Sequence, residues 1–178
     1  MAEESVSKIR ENLMLMPRIE KVTVNIAVGK SGEPLEKAIK ILKQLTGQQP
    51  CKRFAKKTLR DFGIRKGEPI ACMVTLRKEK AREFLKKALQ AVDNKISKSC
   101  FDNYGNFSFG IKEHIELPGT KYVPELGIVG MDVSISVVRQ GYRVKRRRRQ
   151  KSNIGKEHLM TPEESIAFVK ETLGVEIV

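Results

Sequence analysis

Four segments of this chain alternate apolar and small polar side chains one residue at a time, and this pattern constrains the fold more than any other feature. They lie at residues 19–28, 70–77, 107–112 and 133–138. Because successive side chains of a strand point to opposite faces, each segment predicts a strand with one apolar face. The apolar positions are Val22, Val24, Ile26 and Val28, then Ile70, Cys72, Val74 and Leu76, then Phe107, Phe109 and Ile111, and finally Val133, Ile135 and Val137.

Three other segments place apolar residues at helical spacing. The first runs from Leu35 to Leu45, and the second carries an apolar stripe from Ala81 to Val92. The third spans 161–173 and opens with Thr-Pro-Glu-Glu, which is the signature of a capping box. A further helix is predicted over about 4–15. We therefore expect one α+β domain over residues 1–178, with a mainly antiparallel sheet, helices packed on its apolar face and long basic loops.

The second face of the predicted sheet is expected to stay open and to meet RNA. Its positions carry Thr, Ser, Asn and Gly together with Lys21, Arg77 and Lys112, where a merely solvated face would carry bulky charges. Small polar side chains let an RNA backbone lie flat and offer donors to phosphate and 2′-OH groups. The face lacks the paired aromatic residues that stack single-stranded bases, which favours recognition of folded RNA by its shape. An ordinary one-sided sheet remains the alternative.

Positive charge is concentrated in two segments. Residues 139–156 contain nine Lys or Arg residues and no acid, and residues 52–66 carry a net +6, while the whole chain is +14. Such density predicts a polyanionic partner, since each phosphate contact releases a condensed counterion. We expect the first segment to bind a nucleic-acid backbone and to order on binding. Its cations are Arg139, Arg143, Lys145, Arg146, Arg147, Arg148, Arg149, Lys151 and Lys156. Solvated surfaces, import signals and membrane-surface patches are the alternatives for a basic cluster.

No pattern of catalytic or metal-binding residues is present in the sequence. Gly29-Lys30-Ser31 lacks the upstream glycine of a phosphate-binding loop, and the three cysteines form no C-x-x-C pair. His114 is expected to be a surface or loop histidine. We predict no enzyme activity, no cofactor, no metal and no membrane association, and a cytoplasmic location with free thiols.

Several long motifs resemble the ribosomal protein L5 family. They are Pro17 to Ile26 (PRIEKVTVNI), Leu45 to Pro50 (LTGQQP), Arg60 to Ile70 (RDFGIRKGEPI), Phe101 to Glu113 (FDNYGNFSFGIKE) and Gly127 to Val133 (GIVGMDV). The resemblance extends from about residue 10 to the C-terminus. The basic segment after Gly141, together with Ile154-Gly155-Lys156, is similar to the archaeal and eukaryotic branch of the family.

The resemblance implies a structural protein of the large ribosomal subunit that binds 5S ribosomal RNA in the central protuberance. It further implies contacts with large-subunit ribosomal RNA, with the tRNA in the peptidyl site, with neighbouring ribosomal proteins and with a small-subunit protein at an intersubunit bridge. The residues implied for 5S RNA are Lys21, Thr23, Asn25, Gln48, Lys52, Lys56, Lys57, Thr75 and Arg77. Those implied for tRNA are Thr58, Arg60, Phe62, Gly63, Ile64, Arg65, Lys66 and Gly67. Those implied for the bridge are Pro118, Gly119, Tyr122, Pro124 and Leu126.

Three positions depart from the family pattern. Ala27 stands where many members have glycine after the first strand, and Cys51 and Arg53 replace an aliphatic residue and a threonine.

The alternative function is a non-ribosomal module that binds double-stranded nucleic acid through the same basic patches. Such a module would bind generic duplexes and 5S RNA with comparable affinity.

Overall fold

A five-stranded antiparallel sheet organises the fold in the computed structural model, which describes residues 12–120 and 122–178. The strands are β1 (Arg18–Ala27), β2 (Cys51–Phe54), β3 (Pro69–Leu76), β5 (Phe107–Ile111) and β6 (Met131–Val138), and their order across the sheet is β2-β3-β1-β6-β5. The long strand β1 is central and pairs with β3 on one side and β6 on the other. A separate short parallel pair joins β4 (Lys95–Ile96) to β7 (Glu176–Ile177).

Three helices cover one face of the sheet, namely α1 (Glu33–Thr46), α2 (Lys78–Gln90) and α4 (Pro162–Leu173). The single turn α3 (Arg143–Arg146) lies in the basic segment and buries none of its side chains. The apolar stripes of α1, α2 and α4 bury Leu42, Leu85 and Val169 in the same cluster as the apolar side chains of the strands. The apolar face is therefore the core, as the alternation predicts. No helix among the described residues is long and apolar enough to cross a lipid bilayer.

The predicted α+β class is confirmed, and the four predicted strands and three predicted helices are present. At the start of α4, the Thr161 side chain accepts the Glu164 N–H, and the Glu164 carboxylate accepts the Thr161 N–H, which confirms the capping box. The sequence did not predict β2, whose four residues are all exposed, because an edge strand exposed on both faces lacks the alternation of a half-buried strand. The predicted helix over 4–15 falls largely outside the described residues, and 13–15 form a turn.

Candidate nucleic-acid interface

The strand register aligns the small polar side chains of the open face into rows. Cross-strand partners share a face, so each row runs perpendicular to the strands. One row is Thr75, Thr23, Ser134 and Ser108, and the next is Met73, Asn25, Asp132 and Gly110. These positions are exposed or half-buried, while the intervening positions Val22, Val24 and Val133 are fully buried. The sheet thus presents a flat polar surface that extends over four strands.

Asp132 places a carboxylate in the middle of this surface, opposite Asn25 on β1 and Gly110 on β5. Sequence reasoning missed it because the predicted strand began at Val133. A carboxylate repels phosphate but accepts hydrogen bonds from exocyclic amines and 2′-OH groups. The centre of the face is therefore suited to sugar or base edges, and its cationic margins are suited to phosphates.

The edge strand β2 divides its two cations between the faces of the sheet. Arg53 pairs with Ala71 and so shares the open face, whereas Lys52 pairs with Cys72, whose side chain belongs to the core face. Lys52 is exposed at the sheet margin on the helix-covered side and does not join the predicted set on the open face. Arg53 is the β2 cation on the open face, and residue spacing could not identify it because β2 itself was not predicted.

The predicted tRNA loop is folded as a small hairpin. Leu59 and Ile64 exchange backbone hydrogen bonds, and the Gly63 N–H donates to the Arg60 carbonyl at 3.0 Å across the turn. Gly63 takes a left-handed φ of 66°, which suits glycine at this turn. The Phe62 ring at the tip is exposed. Most side chains of the loop are exposed, as are Lys56 and Lys57 at its start, while Ile64 and Gln48 are half-buried.

The Glu68 carboxylate holds the base of this hairpin. It accepts the Ser31 hydroxyl at 2.5 Å and the Arg65 N–H at 3.1 Å. Ala55 and Gly67 close the base with a further backbone bond of 2.9 Å. The Ser31 hydrogen bond, followed by the Arg65 N–H, lowers the pKa of Glu68 below its ordinary value of 4.5. A fixed base lets the exposed tip project a defined surface.

The basic segment 139–156 folds back beside the open face. Tyr142 fixes it, because the phenol oxygen accepts the Met160 N–H at 2.9 Å and donates to the His158 carbonyl at 3.4 Å. Lys145 lies over the Tyr104 ring at 5.9 Å, within the range of a cation–π contact. A cleft of about 520 Å³ separates the segment from Lys21 and Ser136 of the sheet. Sheet and segment thus share a boundary that sequence reasoning had not anticipated.

Arg139 is a correction to the predicted RNA-binding set. Its side chain is only 3% exposed and forms an ion pair with Glu164. The remaining contacts of its guanidinium are with the carbonyls of Glu157 and Leu159. A side chain so enclosed does not reach a nucleic acid, because its donors are directed into the protein. The other eight cations of the segment are exposed.

The excursion at 113–130 lies on the helical side, beyond the core. Pro118, Gly119, Tyr122 and Pro124 are exposed, while Leu126 is half-buried. Leu117 and Leu126 line a cleft of about 320 Å³ against α1 and α2.

His114 lies in the same excursion, in agreement with the expected loop position, but it is not a surface residue. Its side chain is 4% exposed, and its Nδ1 accepts the Val129 N–H at 3.4 Å. This bond and the burial give His114 a packing role. Within residues 12–120 and 122–178, no cluster of His, Cys, Asp or Glu has the arrangement of a metal site.

Comparisons with known proteins match most of the chain. Residues 12–65 match the family described as ribosomal protein L5, and residues 69–168 match the ribosomal L5 family C-terminus. The chain is 57% identical over 159 residues to a Pyrobaculum aerophilum protein named large ribosomal subunit protein uL5, with 89% of each chain covered. A protein of the same name from Sulfurisphaera tokodaii is 55% identical, with 94% of this chain and 95% of the relative covered. Another from Nitrosopumilus maritimus is 42% identical, with 97% of this chain and 99% of the relative covered. The chain belongs to the ribosomal protein L5 family.

Proposed function

We propose that this chain is a structural component of the large ribosomal subunit that binds 5S ribosomal RNA through the open face of its sheet. The names of its relatives, large ribosomal subunit protein uL5, support the assignment to the subunit. The observation that carries the RNA contact is the register that aligns Thr75, Thr23, Ser134 and Ser108 in one row. Short hydroxyl side chains on a flat sheet allow close approach of an RNA backbone and hydrogen-bond to its 2′-OH groups, while the cationic margins of the face are suited to its phosphates.

We propose two further contacts from the same molecule. The hairpin between Thr58 and Gly67 would contact the tRNA in the peptidyl site, supported by its fixed base and its exposed cations and Phe62 ring. The excursion from Pro118 to Leu126 would contact a small-subunit protein, supported by its exposed prolines and Tyr122.

The experiment that tests the RNA proposal compares the dissociation constant for 5S RNA with that for a duplex of equal length. Both are measured from about 50 to 200 mM salt, the range over which purely electrostatic binding collapses. A preference for 5S RNA that persists at the higher salt is the expected result. Equal binding that collapses with salt would contradict the proposal and favour a generic duplex-binding module.

A further inference from the structure

Five arginines converge on one cleft at the end of the open face. The cleft has a volume of about 450 Å³ and is lined by Arg18, Arg77, Arg143, Arg146 and Arg147 together with Gly141, Tyr142 and Glu20. Arg18 and Arg77 come from the sheet, and the other three come from the basic segment. Glu20 is the one acid among the lining residues. Sequence reasoning treated the sheet and the segment as separate RNA-binding regions, whereas the fold joins them here.

A β-bulge in β1 introduces Glu20 into this cleft. Ile19 pairs with Val137 and Lys21 pairs with Ser136, so Glu20 is the extra residue between two successive pairs. Bulges bend a strand and redirect a side chain relative to strict alternation. The redirected carboxylate accepts hydrogen bonds from Arg146 Nη1 and, at 3.5 Å, from Arg77 Nη1. Both donors use the same oxygen, Oε1, so one carboxylate oxygen links the sheet to the basic segment.

Glu20 lies beneath the arginines that it holds. Its side chain is 14% exposed, whereas those of Arg77 and Arg146 are 55% and 50% exposed. Burial alone would raise the pKa of Glu20, but the hydrogen bond and charge of Arg146 and the charges of Arg77 and Lys21 outweigh it and lower the pKa. The carboxylate is therefore ionised, and an approaching anion meets the guanidinium groups before it meets Glu20.

The composition of the cleft indicates its ligand. Five guanidinium groups against one carboxylate leave a strong excess of positive charge, and guanidinium groups bind phosphate with two parallel hydrogen bonds. Evenly spaced phosphates of one duplex strand would occupy few of these donors at a time. Closely spaced phosphates, where two strands of a folded RNA approach each other, would occupy more of them.

We propose that this cleft is a binding site for closely spaced backbone phosphates of a folded RNA, and that Glu20 is a positioning residue that holds Arg77 and Arg146 ready for them. The inference rests on the proposed RNA-binding function and assigns it a specific site. Arginine side chains lose rotamer freedom when they bind a phosphate, and residues already ordered in the free protein lose less. Glu20 therefore promotes binding of the cognate RNA although its own charge opposes binding.

The decisive variant is Glu20→Gln, which removes a negative charge next to the arginines. If Glu20 only repelled RNA, this change would tighten binding of every RNA. The proposal predicts the opposite for folded RNA: the dissociation constant for 5S RNA rises roughly five- to tenfold, while that for a generic duplex stays the same or falls. Glu113→Gln is the matched control, because the same charge is removed at an exposed position outside the cleft. It should leave the preference for 5S RNA unchanged.

A second variant tests the same site without changing the β-bulge, so a folding defect at Glu20 cannot account for its result. Arg146→Lys preserves the charge of a half-exposed side chain but removes the fork that binds phosphate and Glu20 together. It should reduce the preference for 5S RNA by a similar factor, with an unchanged melting temperature.

The outcomes separate the inference from the function on which it rests. Equal binding of 5S RNA and duplex by the unaltered protein would overturn the proposed function and this site with it. A clear preference in the unaltered protein that survives in both Glu20→Gln and Arg146→Lys would overturn the site alone. Tighter 5S binding by Glu20→Gln, equal to that of Glu113→Gln, would likewise show that Glu20 is only a repulsive charge.

Discussion

Arg139 Nη2 lies 2.6 Å from Glu164 Oε2, in an ion pair that ties the end of β6 to the first turn of α4. The same Glu164 side chain completes the capping box of α4 by accepting the Thr161 N–H. One carboxylate thus closes a helix and anchors the sheet to it. Arg139 is the first cation of the basic segment, but its contacts belong to the fold.

Replacing Arg139 with alanine should destabilise the protein by about 2–3 kcal/mol. The change breaks a buried ion pair and leaves two carbonyl acceptors without their donor, but Glu164 keeps some contact with solvent, which limits the loss. The midpoint and slope of urea unfolding measure the effect. A loss below about 0.5 kcal/mol, the range of ordinary surface substitutions, would contradict the structural role of Arg139.

Arg143→Ala is the matched comparison within the same segment. Arg143 is exposed and lines the arginine cleft. We expect the free energy of unfolding of the Arg143→Ala protein to change by no more than about 0.5 kcal/mol, while its affinity for 5S RNA falls. Arg139→Ala should therefore change mainly the stability to urea, and Arg143→Ala should change mainly the affinity for RNA. Similar behaviour of both variants would argue against the division of the segment into a structural and an RNA-binding part.

Replacing Asn25 with alanine tests the open face. Asn25 lies between Met73 and Asp132 in the second polar row, where its amide offers both a donor and an acceptor. Loss of one or two such hydrogen bonds should weaken 5S RNA binding by about 1–2 kcal/mol and leave duplex binding unchanged. Titration of both RNAs at one salt concentration makes the comparison. Gln90→Ala, which removes an exposed amide at the end of α2, is a control that should leave the preference intact.

Replacing Arg148 and Arg149 together with alanine tests the electrostatic contribution. Both are exposed and neither lines the arginine cleft, so their loss should weaken binding of every RNA to a similar degree. The slope of the logarithm of affinity against the logarithm of salt concentration should become shallower by roughly 1–2. A loss confined to 5S RNA, with an unchanged slope, would instead assign these side chains to specific recognition.

Local patterns in the sequence were sufficient to predict the sheet, the main helices and the capping box at Thr161. Alternation and helical spacing report which face of each element is buried, and turn chemistry reports where a helix begins. The assignment of Thr23, Thr75 and Ser134 to the open face followed from the same alternation, whereas their alignment in one row did not. What the patterns report is the environment of each position, not its partner.

The features that the sequence did not predict depend on pairing between distant segments. The bulge at Glu20 is defined only by its register against β6, and the edge strand β2 only by its pairing with β3. Arg139 could not be distinguished from its eight neighbouring cations, because Glu164 lies 25 residues further along the chain. The arginine cleft depends on such pairing as well, because it is formed by the bulge at Glu20, the end of β3 at Arg77 and the basic segment that folds back.

Acid should loosen the hairpin at Thr58 to Gly67 through Glu68. Because the folded protein holds the pKa of Glu68 below the unfolded value, Glu68 stabilises the fold fully above about pH 4.5, and this contribution is lost as pH falls through the lower folded pKa. Glu68→Gln should therefore lower the urea midpoint at neutral pH, and the difference from the unaltered protein should narrow in acid. Amide exchange at Arg65, whose N–H the carboxylate accepts, should accelerate in parallel.

Ser31→Ala provides the independent check, since it removes the hydroxyl that contributes most to the lowered pKa of Glu68. Ser31→Ala should lower the urea midpoint at neutral pH by less than Glu68→Gln does. Its difference from the unaltered protein should also become smaller in acid. A constant difference between variant and unaltered protein at every pH would show that Glu68 acts by packing and not by its charge.

Replacing Gly105 with alanine tests how closely α4 packs against the turn before β5. Gly105 has a φ of 73°, and an added Cβ would lie 2.9 Å from Met160 Cγ and 2.9 Å from Ser165 Cβ. Ser165 Oγ also donates to the Gly105 carbonyl at 2.5 Å, so the contact cannot relax without breaking this bond. Backbone strain and overpacking together should cost about 2–4 kcal/mol. Gly174→Ala is the control, with a φ of 65° and no atom within 4 Å of the added Cβ. It should show only the strain of a left-handed residue, about 1–2 kcal/mol, and equal losses in the two variants would exclude close packing at Gly105.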